Sequence, residues 1–294
     1  MADKLSGMAA DASARKLFCF GLGYSASHLA LRLKAKGWVV AGTAQRPERL
    51  AELKAAGFEA HTLHLPHDAL KDVTHILLSV PPTDAGDPVL AQCQAALAEA
   101  KNLRWIGYLS TTGVYGDKGG DWVDEETPVA PSSNRTERRV KAENDWLEFG
   151  KIRGIPTQLF RLAGIYGPGR NVLDDIRNGS AKCIERPGQV FSRIHVEDIA
   201  AVLEAAIEKS SDHVIFNVCD DEPSSPADVV RFGCELLGVQ PPPPIPFEQA
   251  GLSEMAKSFW AENKRVRNQR IKSAFGVTLR YPSYREGLTA LTTS

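Results

Sequence analysis

A chain of 294 residues is long enough to bury a sizeable core as one large α/β unit with a smaller lobe. With 43% apolar and 24% charged residues it has the make-up of an ordinary globular protein, and a formal net charge of -1 leaves no basic face for nucleic acid. Cys19, Cys93, Cys183, Cys219 and Cys234 include no CxxC pair and are odd in number, which argues against a disulfide framework and reads as reduced, buried thiols. No apolar run approaches the roughly 18 residues of a membrane span. The opening MADKLSGMAADASARK lacks a signal-type apolar core, so a cytoplasmic protein with a flexible tail over residues 1–15 is expected.

Seven short apolar runs follow one another along the chain: LFCFGLG, WVVAGTA, AHTLHL, THILLSV, RWIGYLS, TQLFRLA and HVIFNV. Alternating with amphipathic stretches, they predict βαβ units and a doubly wound parallel sheet of the Rossmann type. After the first run, Ala26, Leu29, Ala30 and Leu33 recur at i, i+3, i+4 and i+7, a helix with one stripe for the sheet. Between them Gly21, Gly23 and Ala26 fit G-x-G-x-x-G/A in the required setting, a strand before and a helix after. Gly21 permits the tight turn, Gly23 lets a pyrophosphate approach the backbone, and the NH groups around Tyr24, Ser25 and Ala26 at the helix start face the phosphates. The plainer reading is a glycine turn that only joins strand to helix.

A dinucleotide site of this kind carries an acid at the end of the second strand for the adenosine ribose. Here that region reads AGTAQRPERL, with no acid before Glu48. Arg46, with Thr43 nearby, suits a 2′-phosphate instead, because a guanidinium grips phosphate oxygens in bidentate fashion. NADP(H) is therefore favoured, with NAD(H) as the other possibility. Ser79 and Val80, closing the THILLSV strand, are expected beside the same cofactor. The alternative is that Arg46 and Arg49 form a solvated face.

The remaining landmarks are STTGVYGD at 110 to 117, the helix-like SSNRTERRVKAENDWLEF, RLAGIYGPGR at 161 to 170, RIHVEDIA at 193 to 200 and FNVCDDEPSS at 216 to 225. GLGYSA at 21 to 26 and these segments other than SSNRTERRVKAENDWLEF resemble, in order and spacing, the extended short-chain dehydrogenase/reductase superfamily of NAD(P)-dependent epimerases, dehydratases and reductases. The resemblance implies a Rossmann domain over 16–167. It implies a mainly C-terminal substrate lobe over 168–294, interleaved with the last sheet elements at about 194–240. Thr111 takes the place of the hydroxyl that binds the reacting oxygen, between Ser110 at the cofactor and Thr112 at the substrate. Thr112 and Gly113 stand where a dehydratase carries its Asp-Glu pair, which disfavours dehydration.

The family's Tyr-x-x-x-Lys is missing. Aligning Glu143 with the acid that follows that motif puts Arg135 at the tyrosine position and Arg139 at the lysine position, on one helical face. A guanidinium effectively never deprotonates, so Arg135 is expected to anchor an anionic group of the substrate, and Arg139 to donate to the cofactor ribose. The plainer alternative pairs Arg139 with Glu143 at i,i+4. Tyr115, Tyr166 and His195 are the other groups able to move a proton, with Tyr115 nearest Thr111 in sequence. Tyr166, Arg170, Asn171, Arg193 and His195 are expected to line the substrate pocket. The spacing of His61, His64 and His67 does not make a metal site.

These features predict an NADP(H)-binding oxidoreductase or epimerase acting on a nucleotide-sugar-like or other anionic small molecule. The rival is a dinucleotide-binding sensor or interaction protein that has lost catalysis. Neither nucleic acid nor membrane is an expected partner. A homodimer through DPVLAQCQAALAEA and the helix containing Trp146 is possible on the family's pattern. PPPPIP, Pro241 to Pro246, is expected as a stiff extended bridge, and NKRVRNQRIKSAFG as the closing helix.

Overall fold

The computed structural model describes residues 15–209 and 211–292; residues 1–14 of the expected tail lie outside them. All seven apolar runs form strands of one parallel sheet: β1 Lys16–Phe20, β2 Val39–Thr43, β3 Glu59–His61, β4 His75–Leu78, β5 Trp105–Thr111, β6 Thr157–Leu162 and β7 Ile215–Val218. Their spatial order is β3, β2, β1, β4, β5, β6, β7. From β1 the chain runs outward through β2 and β3, then returns to β4 on the other side. This reversal opens a crevice at the carboxyl ends of β1 and β4.

Leu17, Phe18, Cys19 and Phe20 are all fully buried, which is why β1 reads as a continuous apolar run rather than an alternation. Leu17 and Cys19 pack with Leu29 and Leu33 of helix α1, Tyr24–Ala35, on one face. Phe18 and Phe20 share the opposite layer with Trp146. Trp146 belongs to the long helix Asn134–Arg153, which starts at a Ser133/Thr136 capping box and ends at the left-handed Gly154. All five cysteines are free and buried. No described helix is long and apolar enough to cross a membrane.

Three small parallel pairs lie outside this sheet: Gly164–Tyr166 with Arg193–His195, Cys183–Glu185 with Pro244–Pro246, and Trp122–Val123 with Arg265–Val266. Two of these revise the sequence reading. PPPPIP is partly a strand, acceptable because a two-stranded ribbon leaves edges on which proline costs no ladder bond. The segment read as a closing helix is extended through Val266 and becomes helical only at Gln269–Phe275. The stretch 87–100 is likewise two short helices, Pro88–Gln92 and Gln94–Glu99, whose Cys93 and Leu97 are buried.

Candidate functional site

Between β1 and α1 the chain makes the turn that the glycine motif requires. Gly21 sits at φ +85, with Val80 so close that a Cβ would lie 3.1 Å from its Cγ2. Its N–H donates to Thr43 Oγ1 at 2.9 Å, and Leu22 N–H to the Thr43 carbonyl at 2.7 Å. Thr43 is thus corrected from a ligand contact to a support of the turn: it is buried, and its hydroxyl accepts from Gly21. Gly23 is exposed, and a Cβ there would meet nothing nearer than the Gly21 carbonyl at 4.0 Å, so the space before α1 is open. No side chain caps α1 and no acid stands in its first turn. An uncapped helix start behind an open glycine turn, at the sheet's crossover, has the shape and polarity that a dinucleotide pyrophosphate fits.

Arg46 stands at the N-cap position of the helix Pro47–Ala55 just past β2, its side chain making no capping bond, exposed and with no ion pair among the described residues. Arg49 differs: it pairs with Glu52 at 2.9 Å and donates to Ser27 Oγ at 2.8 Å. Ser79 and Val80 follow β4, half-buried, with Val80 against Gly21.

A cleft of about 570 Å³ lies between the end of β5, the 162–166 segment and the C-terminal lobe. It brings together Ser110, Thr111, Thr112, Arg135, Tyr166, Arg170 and Arg193 from the sequence-based set, and adds Phe191, Phe259, Trp260, Glu262 and Lys264. Arg170 also stacks over the ring of Tyr24, 5.9 Å from its centroid, while the Tyr24 hydroxyl donates to the Pro168 carbonyl at 3.0 Å. The cleft therefore adjoins the start of α1.

Thr111 ends β5 with its hydroxyl accepting from Gly113 N–H at 3.1 Å, at the opening of the turn Thr112–Tyr115. Arg135 is exposed, lies over the Phe259 ring at 4.4 Å, and has no carboxylate partner among the described residues. Arg139 is half-buried against β5. One of its nitrogens donates to the Tyr108 hydroxyl at 3.0 Å and the Leu109 carbonyl at 3.1 Å. Nor does it pair with Glu143. That carboxylate is buried in a bidentate pair with Arg161, at 2.8 and 3.2 Å, and also accepts from Ser110. Ser110 is thereby committed inward, although it borders the cleft.

Three further expectations are corrected. Tyr115 is fully buried, donating to Asn217 Oδ1 at 2.8 Å beneath the Arg161 guanidinium, so it does not reach the cleft. His195 is buried between Tyr166 and Tyr281, with Nδ1 accepting from Glu197 N–H; burial lowers its pKa to about 4. Asn171 caps the helix Val172–Arg177 through Leu173 and Asp174 N–H. Arg193 reaches the cleft but donates to the Phe191 carbonyl and to Ser224. Tyr166 reaches it too, with its hydroxyl on the Ser283 carbonyl at 3.2 Å.

No family model matches the sequence. A solved protein of unknown function from Silicibacter pomeroyi is 47% identical, with 95% of this chain and 99% of that one covered at a TM-score of 0.88. Protein YeeZ of Escherichia coli K12 is 28% identical over 244 residues, 78% of this chain and 86% of that one. UDP-glucuronic acid 4-epimerase from Bacillus cereus, solved in complex with NAD, is 18% identical and covers 94% of this chain and 96% of its own at a TM-score of 0.74.

Proposed function

We propose that this chain, which belongs to one family with the S. pomeroyi protein and has the fold of the extended short-chain dehydrogenase/reductases, is an NADP(H)-dependent oxidoreductase or epimerase of an anionic substrate. The observation that carries the reading is the open glycine turn and uncapped α1, joined through Tyr24 and Arg170 to a cleft that holds Thr111 and the unpaired Arg135. The B. cereus protein of the same fold binds NAD. In this chain Gly21, Gly23 and the NH groups at the start of α1 would hold the pyrophosphate, Ser79 and Val80 would border it, and Arg46 would take a 2′-phosphate. The bound dinucleotide supplies or accepts hydride.

Thr111 would donate to the reacting oxygen, and Thr112 would border it. Arg135 and Arg170 would hold a phosphate or carboxylate, with Phe259 and Trp260 packing on the apolar remainder. A nucleotide sugar meets this description, being anionic at one end and hydroxylated at the other. The rival reading, a sensor without turnover, is favoured by one observation: one guanidinium nitrogen of Arg139 is held by the Tyr108 hydroxyl and the Leu109 carbonyl, a structural role beside β5.

Calorimetric titration with NADPH, NADP⁺, NADH and NAD⁺ tests the cofactor. The expected result is tighter NADPH binding, weakened roughly tenfold or more in Arg46→Ala, the worth of one charge-assisted phosphate contact, with NADH binding unchanged. Absence of binding by all four would remove the enzyme reading together with its cofactor.

A further inference from the structure

With arginine at the tyrosine position, the cleft can hold a reacting oxygen but lacks the family's proton donor. Its titratable lining among the described residues is short: Arg135, Tyr166, Arg170, Arg193, Glu262 and Lys264. The three guanidinium groups do not release protons. Tyr166 keeps its hydroxyl on the Ser283 carbonyl, and burial, reinforced by Asp220, pushes its pKa far above the usual phenol range. Glu262 and Lys264 remain.

Lys264 is built into place. Its Nζ donates to the Gly116 carbonyl at 2.9 Å and pairs with Glu262 Oε2 at 2.5 Å, with side chains only 10% and 11% exposed. The other Glu262 oxygen accepts from Ser132 Oγ at 2.6 Å. An ammonium has three N–H donors, and no third acceptor occurs among the described residues, so one N–H is uncommitted. Gly116 closes the turn that begins at Thr112, which ties Lys264 to the turn following Thr111. On either side the backbone is fixed. Asn263 bonds Asp117, Gly188 and Val190, while Arg265 begins the strand paired with Trp122. Such rigidity is what a group transferring a proton at a defined point needs.

We propose that Lys264 is the proton-transfer residue of this cleft and Glu262 its positioning residue. The inference rests on the redox reading above. When a carbonyl carbon held at Thr111 gains hydride from the reduced nicotinamide, the π pair passes to oxygen, one Lys264 N–H bond breaks and an O–H bond forms. The products are an alcohol, the oxidised dinucleotide and a neutral amine that solvent reprotonates; oxidation runs the same steps backwards. Lysine and tyrosine side chains have similar reference acidities, about 10.4 and about 10, so lysine can stand in for the phenol.

The test uses pyridoxal 5′-phosphate, an anionic aldehyde, as probe on the full chain, with borohydride reduction and peptide mapping. Lys264 is expected to be labelled, and less so in Arg135→Ala, which removes a cation for the probe's phosphate. In Glu262→Gln, which removes the ion-pair partner that holds Nζ, labelling of Lys264 is expected to change several-fold while Glu262→Asp, which keeps the carboxylate, restores part of the wild-type level. Lys264→Arg keeps the charge and is expected to abolish labelling at this peptide while dinucleotide binding persists.

An unlabelled Lys264 in a protein whose Lys141 and Lys257, both more than half exposed, are labelled would overturn the assignment. Calorimetry on the same samples separates the two readings. Dinucleotide binding with Lys264 unlabelled defeats only the lysine assignment. Labelling without dinucleotide binding defeats the redox reading and the proton-transfer role with it.

Discussion

Asp220 follows β7 by two residues, 1% exposed, and neither carboxylate oxygen has a hydrogen-bond partner among the described residues. Burial raises its pKa from 3.8 to about 8, against the opposing pull of the Arg193 guanidinium. An acid protonated in the fold but ionised in the unfolded chain makes stability fall as pH rises from about 4 to about 8. Asp220→Asn is expected to remove that slope, which urea unfolding of both proteins at pH 5 and pH 8 measures. His195 acts in the opposite sense. Its pKa lies at about 4 instead of 6.5 because burial outweighs Glu197, so stability is full above that window and lost as pH falls through it. A steeper acid limb in the wild type than in His195→Gln, by the same measurement, is the expected result. At this scale the sequence distinguished residue types but not their commitments. Arg135 and Arg139 look equivalent one turn apart, yet only Arg139 meets acceptors on β5, and Tyr115 looks reactive until Asn217, 102 positions later, fixes its hydroxyl.

Elements were legible where a local pattern sufficed. The seven apolar runs, the α1 stripe and the glycine turn stand where periodicity put them, since each follows from burial on a sheet or from backbone freedom at one residue. Gly21→Ala tests the turn. With φ at +85 and Val80 at 3.1 Å, an alanine is expected to cost about 1–3 kcal/mol and to abolish dinucleotide binding, as unfolding curves beside calorimetry would report. The 87–100 helix broke at Cys93, whose thiol donates to the Leu63 carbonyl at 3.3 Å, and PPPPIP found a strand partner near residue 184. Both departures come from contacts distant in sequence, which no window of local periodicity contains.

Across the whole molecule, the C-terminal segment around Asn263 ties the 117–120 loop to the 188–190 segment. Its carbonyl accepts from Lys118 and Gly120, its N–H donates to Asp117, and its side chain holds Gly188 and Val190. Asn263→Ala is expected to cost about 1 kcal/mol through the lost bonds to the Gly188 carbonyl and Val190 N–H, and to open 254–266 to limited proteolysis before global unfolding. Sequence by itself determined the strands of the parallel sheet and the glycine turn, because hydrophobic periodicity and glycine geometry act over a few residues. It also exposed the missing Tyr-x-x-x-Lys, which is a matter of residue identity. Only the tertiary structure decided which polar groups face the cleft. Glu262 and Lys264 reach it because they lie beside a strand formed with Trp122 and Val123, and Tyr115 is withdrawn because its buried hydroxyl finds its partner in Asn217, far along the chain.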